Sequence, residues 1–348
     1  MNLVKFYLRK EITMGKNITM KDVADRLGVS TVTVSKALSD KEGVSEVLRE
    51  SIKQMAREMG YRYNALGRSM KEGRNYNIGI LIAEHFMSEN AFYSKMYQTI
   101  NRDLLSYNYF GIMELISEEA EKEGKIPQLL QNNKVDGIIM LGQMKRGYIQ
   151  MIADSGIPFI FLDFTDDHFK VDTIVSDSFH GTYEITCHLI EQGHTRIGFI
   201  GNIGATTSIM DRYLGYYKAL LENGLELRSD WVIADRDGHG KFRPILLPNE
   251  MPTAFVCNCD EVAYAFILQL KKAGYSVPDQ VSVVGYDNYI YATLSEPAIT
   301  TVEVNIEAMS EAAVSSILKR IKKPDSEYGR KVISGRIIYR DSVKARME

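Results

Sequence analysis

The chain has 348 residues, a formal net charge of −3, 45% hydrophobic residues and 25% charged residues. These values are typical of a soluble protein with two or three domains and well-formed cores. Three cysteines cannot build a disulfide framework, and apolar runs such as 135–141 are too short to span a membrane. The N-terminal residues also lack the apolar run of a secretory signal, so we expect a cytoplasmic protein with no membrane contact.

Charge is distributed unevenly along the chain. The first 75 residues carry a net charge of +6 and the remainder carries −9. A basic head on an acidic body is typical of proteins that bind nucleic acid, although a solvated basic surface would give the same count. We expect residues 1–16 to form a loose N-terminal tail that precedes this head.

Residues 17–62 are predicted to form a small all-helical domain. Apolar residues recur at helical spacing over 20–27, 30–38 and 45–60. Thr19 and Ser30 are suited to cap the first two helices, and Gly28 supplies the turn between them. Two helices joined by a short turn with glycine are typical of a helix-turn-helix DNA-binding domain, the alternative being an ordinary three-helix packing module.

The second of these helices has an unusual surface. Val34 and Leu38 are predicted to hold it against the first helix, which leaves five residues pointing outward: Thr31, Val32, Thr33, Ser35 and Lys36. Short hydroxyl and methyl groups allow close approach to base edges in the major groove, and a lysine can reach a guanine or a phosphate. We therefore expect these five residues to contact DNA.

From residue 77 onward, short apolar runs alternate with helical patterns. The predicted strands are 78–82, 110–115, 137–141, 159–162, 173–175, 197–200, 231–233, 254–256 and 281–284. The predicted helices are 91–107, 120–133, 145–155, 178–192, 209–223, 260–273 and 305–321. This alternation predicts parallel sheets covered by helices, and nine strands favour two open α/β lobes of four to six strands each.

A ligand site is expected in the cleft between these lobes, beyond the carboxyl ends of the strands. The candidates near strand ends are Phe92, Tyr93, Asp163, Arg212 and Asp287. Aromatic faces with a few charged groups suit a sugar or another small polar planar ligand. Taken singly, Asp163 could equally be a helix cap and Phe92 a core residue.

Enzymatic and metal-binding functions have weak support. The segment GFIGNIG at 198–204 does not have the G-x-G-x-x-G spacing of a dinucleotide site, and no P-loop or nucleophile-elbow motif occurs. The pair Cys257-x-Cys259 lacks a second pair of ligands. We expect no catalysis, no cofactor and no metal site.

The chain resembles the LacI/GalR family of bacterial transcription regulators. The head matches through ITMKDVADRLGVSTVTVSKALSD and VSEVLRESIKQMAREMGYRYN. The body matches in order through segments such as VDGIIMLG, GIPFIFLD, DRYLGYYKALLENGL and VPDQVSVVGYDN. The resemblance implies a helix-turn-helix domain followed by a two-lobed, periplasmic-binding-protein-like effector domain. It also implies that the second helix enters the major groove, although Lys36 stands where the family commonly has arginine.

For the linker at 63–76 the resemblance implies a hinge helix that docks in the minor groove of the operator. The implied DNA contacts are Asn64, Arg68 and Met70, and Met70 takes the place of the family's wedging leucine. Gly67 replaces a better helix former, at a cost of about 1 kcal/mol relative to alanine.

For the body at 77–348 the resemblance implies effector contacts at Phe92, Tyr93, Asp163, Arg212 and Asp287. Cys259 stands where the family usually has an asparagine, so one common ligand contact is expected to be lost. The family's three crossovers place residues 77–175 and 304–333 in one lobe, and 176–303 and 334–348 in the other.

The resemblance therefore implies a homodimeric repressor that binds a near-palindromic double-stranded DNA operator under the control of a sugar or sugar derivative. The alternative is a regulator that needs a corepressor, with a purine or another non-sugar ligand. A secreted sugar-binding protein would share the body, but it would not carry the basic helical head.

We expect the hinge helix to form only when the protein is docked on DNA, because Gly67 weakens the helix. Hydrogen exchange of the free protein should therefore show fast exchange over residues 64–70, with protection appearing on operator binding. Strong protection of these amides without DNA would contradict the prediction.

Overall fold

The computed structural model describes residues 18–61, 72–88, 91–237 and 240–346. The chain divides into two compact units, one ending at Gly73 and the other starting at Arg74. The predicted tail and the linker residues Asn64, Arg68 and Met70 lie outside the described residues, and the domain and lobe boundaries given above stay predictions. Within the described part, no helix is long and apolar enough to cross a membrane.

The first unit contains three helices: α1 (Met20–Leu27), α2 (Thr31–Leu38) and α3 (Glu46–Glu58). They pack around a small core of buried residues: Val23, Ala24, Val34, Ala37, Ile52 and Ala56. This core fixes the angle between α1 and α2, because apolar side chains from both helices meet α3 there.

Local sequence determines where these helices begin and end. Thr19 and Asp22 form a capping box at the start of α1, and the Ser30 hydroxyl accepts a hydrogen bond of 3.0 Å from the Thr33 amide at the start of α2. Gly28 ends α1 with φ = 64°, a left-handed conformation that glycine adopts without strain. The predicted caps and turn are confirmed.

The second unit has two six-stranded sheets. The strands are β1 (Asn77–Ala83), β2 (Phe110–Ile116), β3 (Gly137–Leu141), β4 (Phe159–Leu162), β5 (Thr173–Ser176), β6 (Ile197–Ile200), β7 (Val232–Ile233), β8 (Ala254–Cys257), β9 (Ser282–Asp287), β10 (Thr300–Glu303), β11 (Arg330–Ile333) and β12 (Arg336–Ile338). The first sheet has the order β11-β5-β4-β3-β1-β2, and the second has the order β12-β10-β9-β8-β6-β7.

The helices of this unit lie between the strands in sequence. They are α4 (His85–Ser88), α5 (Ala91–Ser106), α6 (Glu118–Glu123), α7 (Gln128–Gln131), α8 (Arg146–Asp154), α9 (Ser178–Glu191), α10 (Thr207–Glu222), α11 (Asp260–Lys272), α12 (Ile290–Leu294) and α13 (Ile306–Lys322). We call the first sheet with its helices the first lobe and the second sheet with its helices the second lobe.

Both sheets are parallel except where β12 pairs antiparallel with β10. Their central strands are buried along their whole length, as expected for parallel strands covered on both faces. The close packing of α9 on α10 depends on Gly215, where a Cβ atom would lie 2.1 Å from the carbonyl oxygen of Phe179. The predicted fold class, a helical head followed by parallel sheets covered by helices, is confirmed.

Two predicted elements are wrong. The helix predicted over 120–133 is two short helices, α6 and α7, because Gly124 adopts φ = 66° and ends the first one. Trp231, predicted to be in a strand, belongs to a 3-10 turn at Ser229–Trp231, and β7 has only two residues.

The chain crosses between the lobes three times. It crosses after β5, after β10 and between β11 and β12, so each sheet contains strands that are distant in sequence. The last crossing is only two residues long, at Ser334 and Gly335. A relative movement of the lobes must therefore be accommodated in three neighbouring connections.

His194 holds the C-terminal segment of the chain against the turn between α9 and β6. Its Nδ1 lies 2.9 Å from the Thr253 hydroxyl and its Nε2 lies 3.2 Å from the carbonyl oxygen of Lys344. Burial of the imidazole lowers the pKa of His194 to about 4. The neutral ring is therefore the form that this packing requires.

This packing predicts a loss of stability in mild acid. As the pH falls from the ordinary histidine pKa of about 6.5 to about 4, the unfolded chain takes up a proton that folded His194 does not, so the folded state loses stability. His194→Gln should reduce this pH dependence of the melting temperature, whereas the same change at exposed His180 should not. Equal slopes in the two variants would contradict the prediction.

Candidate functional site

The first candidate surface is the outer face of α2. Thr31, Val32, Ser35 and Lys36 are exposed, and the Val32 side chain is 63% exposed. Thr33 is half-buried, and its hydroxyl lies 2.8 Å from the Ser30 hydroxyl. The surface thus has the short hydroxyl and methyl groups, followed by a cation, that suit a helix entering the major groove.

Arg49 of α3 fixes the C-terminal end of α2. Its guanidinium donates to the carbonyl oxygens of Ala37 (3.3 Å) and Lys41 (2.8 Å), and its residue exposure is only 8%. The last carbonyls of a helix have no partner within the helix, and a buried cation satisfies them well. Arg49 was not selected from the sequence, because nothing local distinguishes it from Arg57, the other arginine of α3.

The second candidate site is a small chamber between the two lobes, which we call the inner chamber, with a volume of about 50 Å³. All six residues that the sequence assigned to the effector line it: Phe92, Tyr93, Asp163, Arg212, Cys259 and Asp287. The first three belong to the first lobe and the others to the second. The carboxyl ends of strands in both sheets therefore converge on one point, as expected for a ligand site in open α/β folds.

Arg212 lies at the centre of this chamber and is buried. Its guanidinium donates to Asp287 Oδ1 (3.3 Å), to the Ser178 hydroxyl (3.4 Å) and to the carbonyl oxygen of Asn258. The guanidinium carbon also lies 3.9 Å from the centre of the Tyr286 ring. These contacts fix the planar fork, so its orientation is set before any ligand arrives.

Asp163 and Asp287 occupy left-handed backbone conformations, with φ = 66° and φ = 108°. Such conformations are uncommon for residues other than glycine and concentrate at functional sites. Tyr93 donates a hydrogen bond of 2.8 Å to Asp163 Oδ2, which fixes the carboxylate of the first lobe. Two carboxylates, one from each lobe, thus lie near the same guanidinium.

The protonation of these carboxylates depends on their burial. Burial raises the pKa of Asp287 to about 7, and the neighbouring Arg212 opposes the shift. Burial also raises the pKa of Asp163, against the effects of Arg212 and Tyr93. Near neutral pH, Asp287 can therefore act either as an acceptor or, when protonated, as a donor.

Cys259 is buried in the chamber wall, and burial raises the pKa of its thiol to about 12. Such a thiol resists ionisation and is a poor nucleophile. The amide of neighbouring Asn258 bonds Ile200 and Asp235, each at 3.0 Å, so that amide is already used within the protein. Among the described residues no cluster of histidine, cysteine or acidic side chains is arranged to hold a metal ion.

Sequence reasoning missed several residues of the chamber: Phe86, Thr206, Ser208, Ile209, Arg236 and Asn258. Asn258 directly follows β8, so the rule that selected the strand-end residues could have found it. Arg236 lies three residues beyond the end of the two-residue strand β7, too far from the predicted strand at 231–233 for the same rule to select it. Its guanidinium is held by Asp235 at 2.7 Å and by Asn258 Oδ1 at 3.3 Å.

A second, larger cavity opens beside the inner chamber, and we call it the outer chamber. Its volume is about 470 Å³, within the range of small-molecule sites. Phe86, Thr206 and Arg236 line both chambers, so these three residues form the boundary between them. The two chambers together give a continuous cleft with charged groups at its inner end.

Arg49 offers a test of how the head is held together. Arg49→Met should remove the guanidinium donor from the C-terminal carbonyls of α2, which keep only their backbone donors, and destabilise the helix by about 1.5–3 kcal/mol. Hydrogen exchange of the full chain should show the α2 amides exchanging about ten to a hundred times faster. Arg57→Met, an exposed change on the same helix, is the control, and equal exchange in both variants would count against the role of Arg49.

Two family models match the chain. The model of bacterial regulatory proteins of the lacI family matches residues 19–64, which include the whole of α1, α2 and α3. The model of the periplasmic binding protein-like domain matches residues 186–343, which include most of the second lobe. The first match covers the DNA-contacting candidates of α2 and Asn64, and the second covers Arg212, Cys259 and Asp287.

Known proteins resemble the chain over nearly its full length. The HTH-type transcriptional repressor PurR of Pectobacterium atrosepticum is 31% identical over 310 residues, covering 87% of this chain and 90% of that protein. A lac repressor dimer bound to operator and the anti-inducer ONPF shares the fold, with a TM-score of 0.75 at 20% identity, covering 95% of this chain and 100% of that chain. A complex of the transcriptional regulator CelR with cellobiose shares it with a TM-score of 0.67 at 24% identity, covering 94% and 100%. The chain belongs to the LacI family of bacterial regulatory proteins and is a transcriptional repressor, not an enzyme.

Proposed function

We propose that this repressor reads its operator with Thr31, Val32, Thr33, Ser35 and Lys36 of α2, and that a sugar or sugar derivative bound between the lobes controls operator affinity. The observation that carries the effector assignment is the convergence of six residues from both lobes on one chamber, in whose wall Arg212 is buried. A ligand held by both lobes can bind one lobe arrangement better than another.

The chemistry of the inner chamber supports a sugar. Each sugar hydroxyl both donates and accepts, and the chamber offers a guanidinium fork beside the carboxylates of Asp163 and Asp287. The rings of Phe86 and Phe92 supply apolar surface for the C–H face of a sugar ring. The related fold of CelR is described in complex with cellobiose, which supports the same ligand class.

A purine is the second candidate, because relatives of this chain carry the name PurR. A planar base could pack against Phe86, whose ring centre lies 5.0 Å from that of Tyr93. In that case the ligand would act as a corepressor, and its binding would strengthen the operator complex instead of weakening it.

Contacts between the lobes suggest how the effector acts. The Thr165 amide of the first lobe donates to the Thr207 hydroxyl of the second at 3.3 Å, and Arg330 lies 3.7 Å from Asp211. Both second-lobe partners lie on α10, the helix that carries Arg212. A ligand that contacts Arg212 thus acts on the same helix that joins the lobes. The resulting change in operator affinity equals the ligand's preference for one arrangement of the lobes over the other.

A homodimer would place two heads on the two halves of a near-palindromic operator, with Asn64, Arg68 and Met70 contributing from the linker. The lac repressor neighbour is described as a dimer on its operator. Exposed apolar side chains at the edge of the first lobe, including Tyr107, Phe110 and Leu115, supply surface that a second copy could cover.

The effector assignment is tested by thermal shift with D-glucose, D-xylose, D-ribose, cellobiose, hypoxanthine and guanine. At a hundredfold excess over Kd, a ligand specific for the folded state should stabilise the protein by about 2.7 kcal/mol. Arg212→Lys and Asp287→Asn keep a similar side-chain size but remove the fork and the carboxylate, so both should abolish the shift. Arg228→Lys, in an exposed ion pair of the same lobe, is the matched control.

Stabilisation by a sugar that requires Arg212 and Asp287 supports the proposal. Stabilisation by a purine base alone favours the corepressor alternative. If the ligand response survives in both cleft variants, the effector does not bind at the inner chamber.

A further inference from the structure

The outer chamber has an unusual balance of charges. Three glutamates line it, Glu84, Glu118 and Glu121, against two permanent cations, Lys145 and Arg236. Lys145 Nζ lies 3.9 Å from both Glu118 Oε1 and Glu121 Oε2, and Arg236 Nη2 lies 2.7 Å from Asp235 Oδ2. Each cation therefore already has a carboxylate nearby, and no excess positive charge faces the cavity.

His85 also lines this chamber. Burial lowers its pKa, against the opposing effects of Glu121 and Glu118, while Arg236 and Lys145 lower it further. The imidazole lies on α4 of the first lobe, close to Gly240 of the second lobe. It thus adds a polar group where the two lobes face each other across the cavity.

The lining presents many hydrogen-bond acceptors. Carboxylate oxygens accept hydrogen bonds, and Glu121, with a residue exposure of 7%, already accepts one from the backbone amide of Lys145. The side-chain oxygen of Gln143 is also buried, and it has no hydrogen-bond partner among the described residues. Such a surface is complementary to a ligand that donates several hydrogen bonds, and it repels one that brings acceptors with negative charge.

We infer that the outer chamber selects the effector by charge: it takes the hydroxyl- or amino-bearing part of an effector without an anionic group, and it rejects phosphate and carboxylate substituents. The inference deepens the proposed function and rests on it in placing the effector between the lobes. It narrows the ligand class to unphosphorylated sugars and glycosides, including amino sugars, as opposed to sugar phosphates, uronic acids and nucleotides.

Matched pairs of probes test this selection by titration calorimetry on the full chain. The pairs are D-glucose with D-glucose 6-phosphate, D-ribose with D-ribose 5-phosphate, and, for guanine, its nucleoside guanosine with guanosine monophosphate. For any pair in which one member binds, the uncharged member should bind at least about tenfold more tightly. Inorganic phosphate, compared with chloride at equal ionic strength, should not stabilise the protein.

Two variants on α6 distinguish the effect of a charge inside the outer chamber from the effect of surface charge in general. Glu118→Lys reverses a charge inside the outer chamber, whereas Glu119→Lys makes the same change one residue further along the same helix and outside the lining. Glu118→Lys should raise affinity for the phosphorylated probes several-fold, and Glu119→Lys should not. Ala205→Trp, which fills the chamber, should weaken all probes, while Ala273→Trp at an exposed helix end should not.

Phosphorylated probes that bind as tightly as their uncharged partners would overturn the inference, and so would equal behaviour of Glu118→Lys and Glu119→Lys. The inference would also be overturned, without any organic ligand, if inorganic phosphate stabilised the protein and this stabilisation disappeared in Lys145→Ala. If guanine binds and no sugar does, the proposal that the effector is a sugar is wrong. The guanine pair then still tests whether the outer chamber rejects a phosphate group. If no organic probe binds, the proposed function fails. The comparison of inorganic phosphate with chloride then tests by itself whether the outer chamber rejects phosphate.

Discussion

The structure of the effector region depends on the burial of one guanidinium with its partners. Arg212 is removed from water between the lobes, and such a charge is tolerated only when hydrogen bonds and opposite charges compensate its lost hydration. Asp287, Ser178 and the Asn258 carbonyl supply that compensation from three segments of the second lobe. The strand ends around it are thereby held in place, including the left-handed backbone at Asp287.

The need to compensate the buried charge of Arg212 also explains why the cleft between the lobes can respond to a ligand. Asp163 belongs to the first lobe and is held by Tyr93, yet it lies close enough to Arg212 for the guanidinium to oppose the rise that burial causes in its pKa. A ligand that inserts hydroxyls between these groups exchanges one set of buried hydrogen bonds for another. Because the two carboxylates come from different lobes, that exchange is coupled to the lobe arrangement and to α10.

The two chambers differ in what they can contribute. The inner chamber provides fixed polar groups in a small volume, which suits recognition of a few ligand atoms. The outer chamber is about nine times larger and rich in carboxylates, so it suits recognition of ligand size and charge. Arg236 lines both chambers. It is not among the contacts that the sequence suggested, and only the three-dimensional structure shows that it belongs to the site.

The head was predictable in detail, because its signals are local. Capping residues, the glycine turn and helical periodicity act within a few residues of one another, and α1 and α2 match the predicted ranges closely. The break between α6 and α7 was missed because helical periodicity continues across Gly124, whose left-handed backbone ends the first helix. The role of Arg49 was missed because its carbonyl partners lie 5–13 residues away.

The sequence by itself determined the alternation of strands and helices, the exposed short side chains of α2 and six residues of the inner chamber. It could do so because strand ends of parallel sheets share one edge, whatever their separation along the chain. Only the tertiary structure decided that Arg236, Asn258 and Phe86 join that site, and that three glutamates face an outer chamber. Those positions depend on how the two lobes pack against each other. Contacts between surfaces that are distant in sequence leave no periodic pattern in the chain.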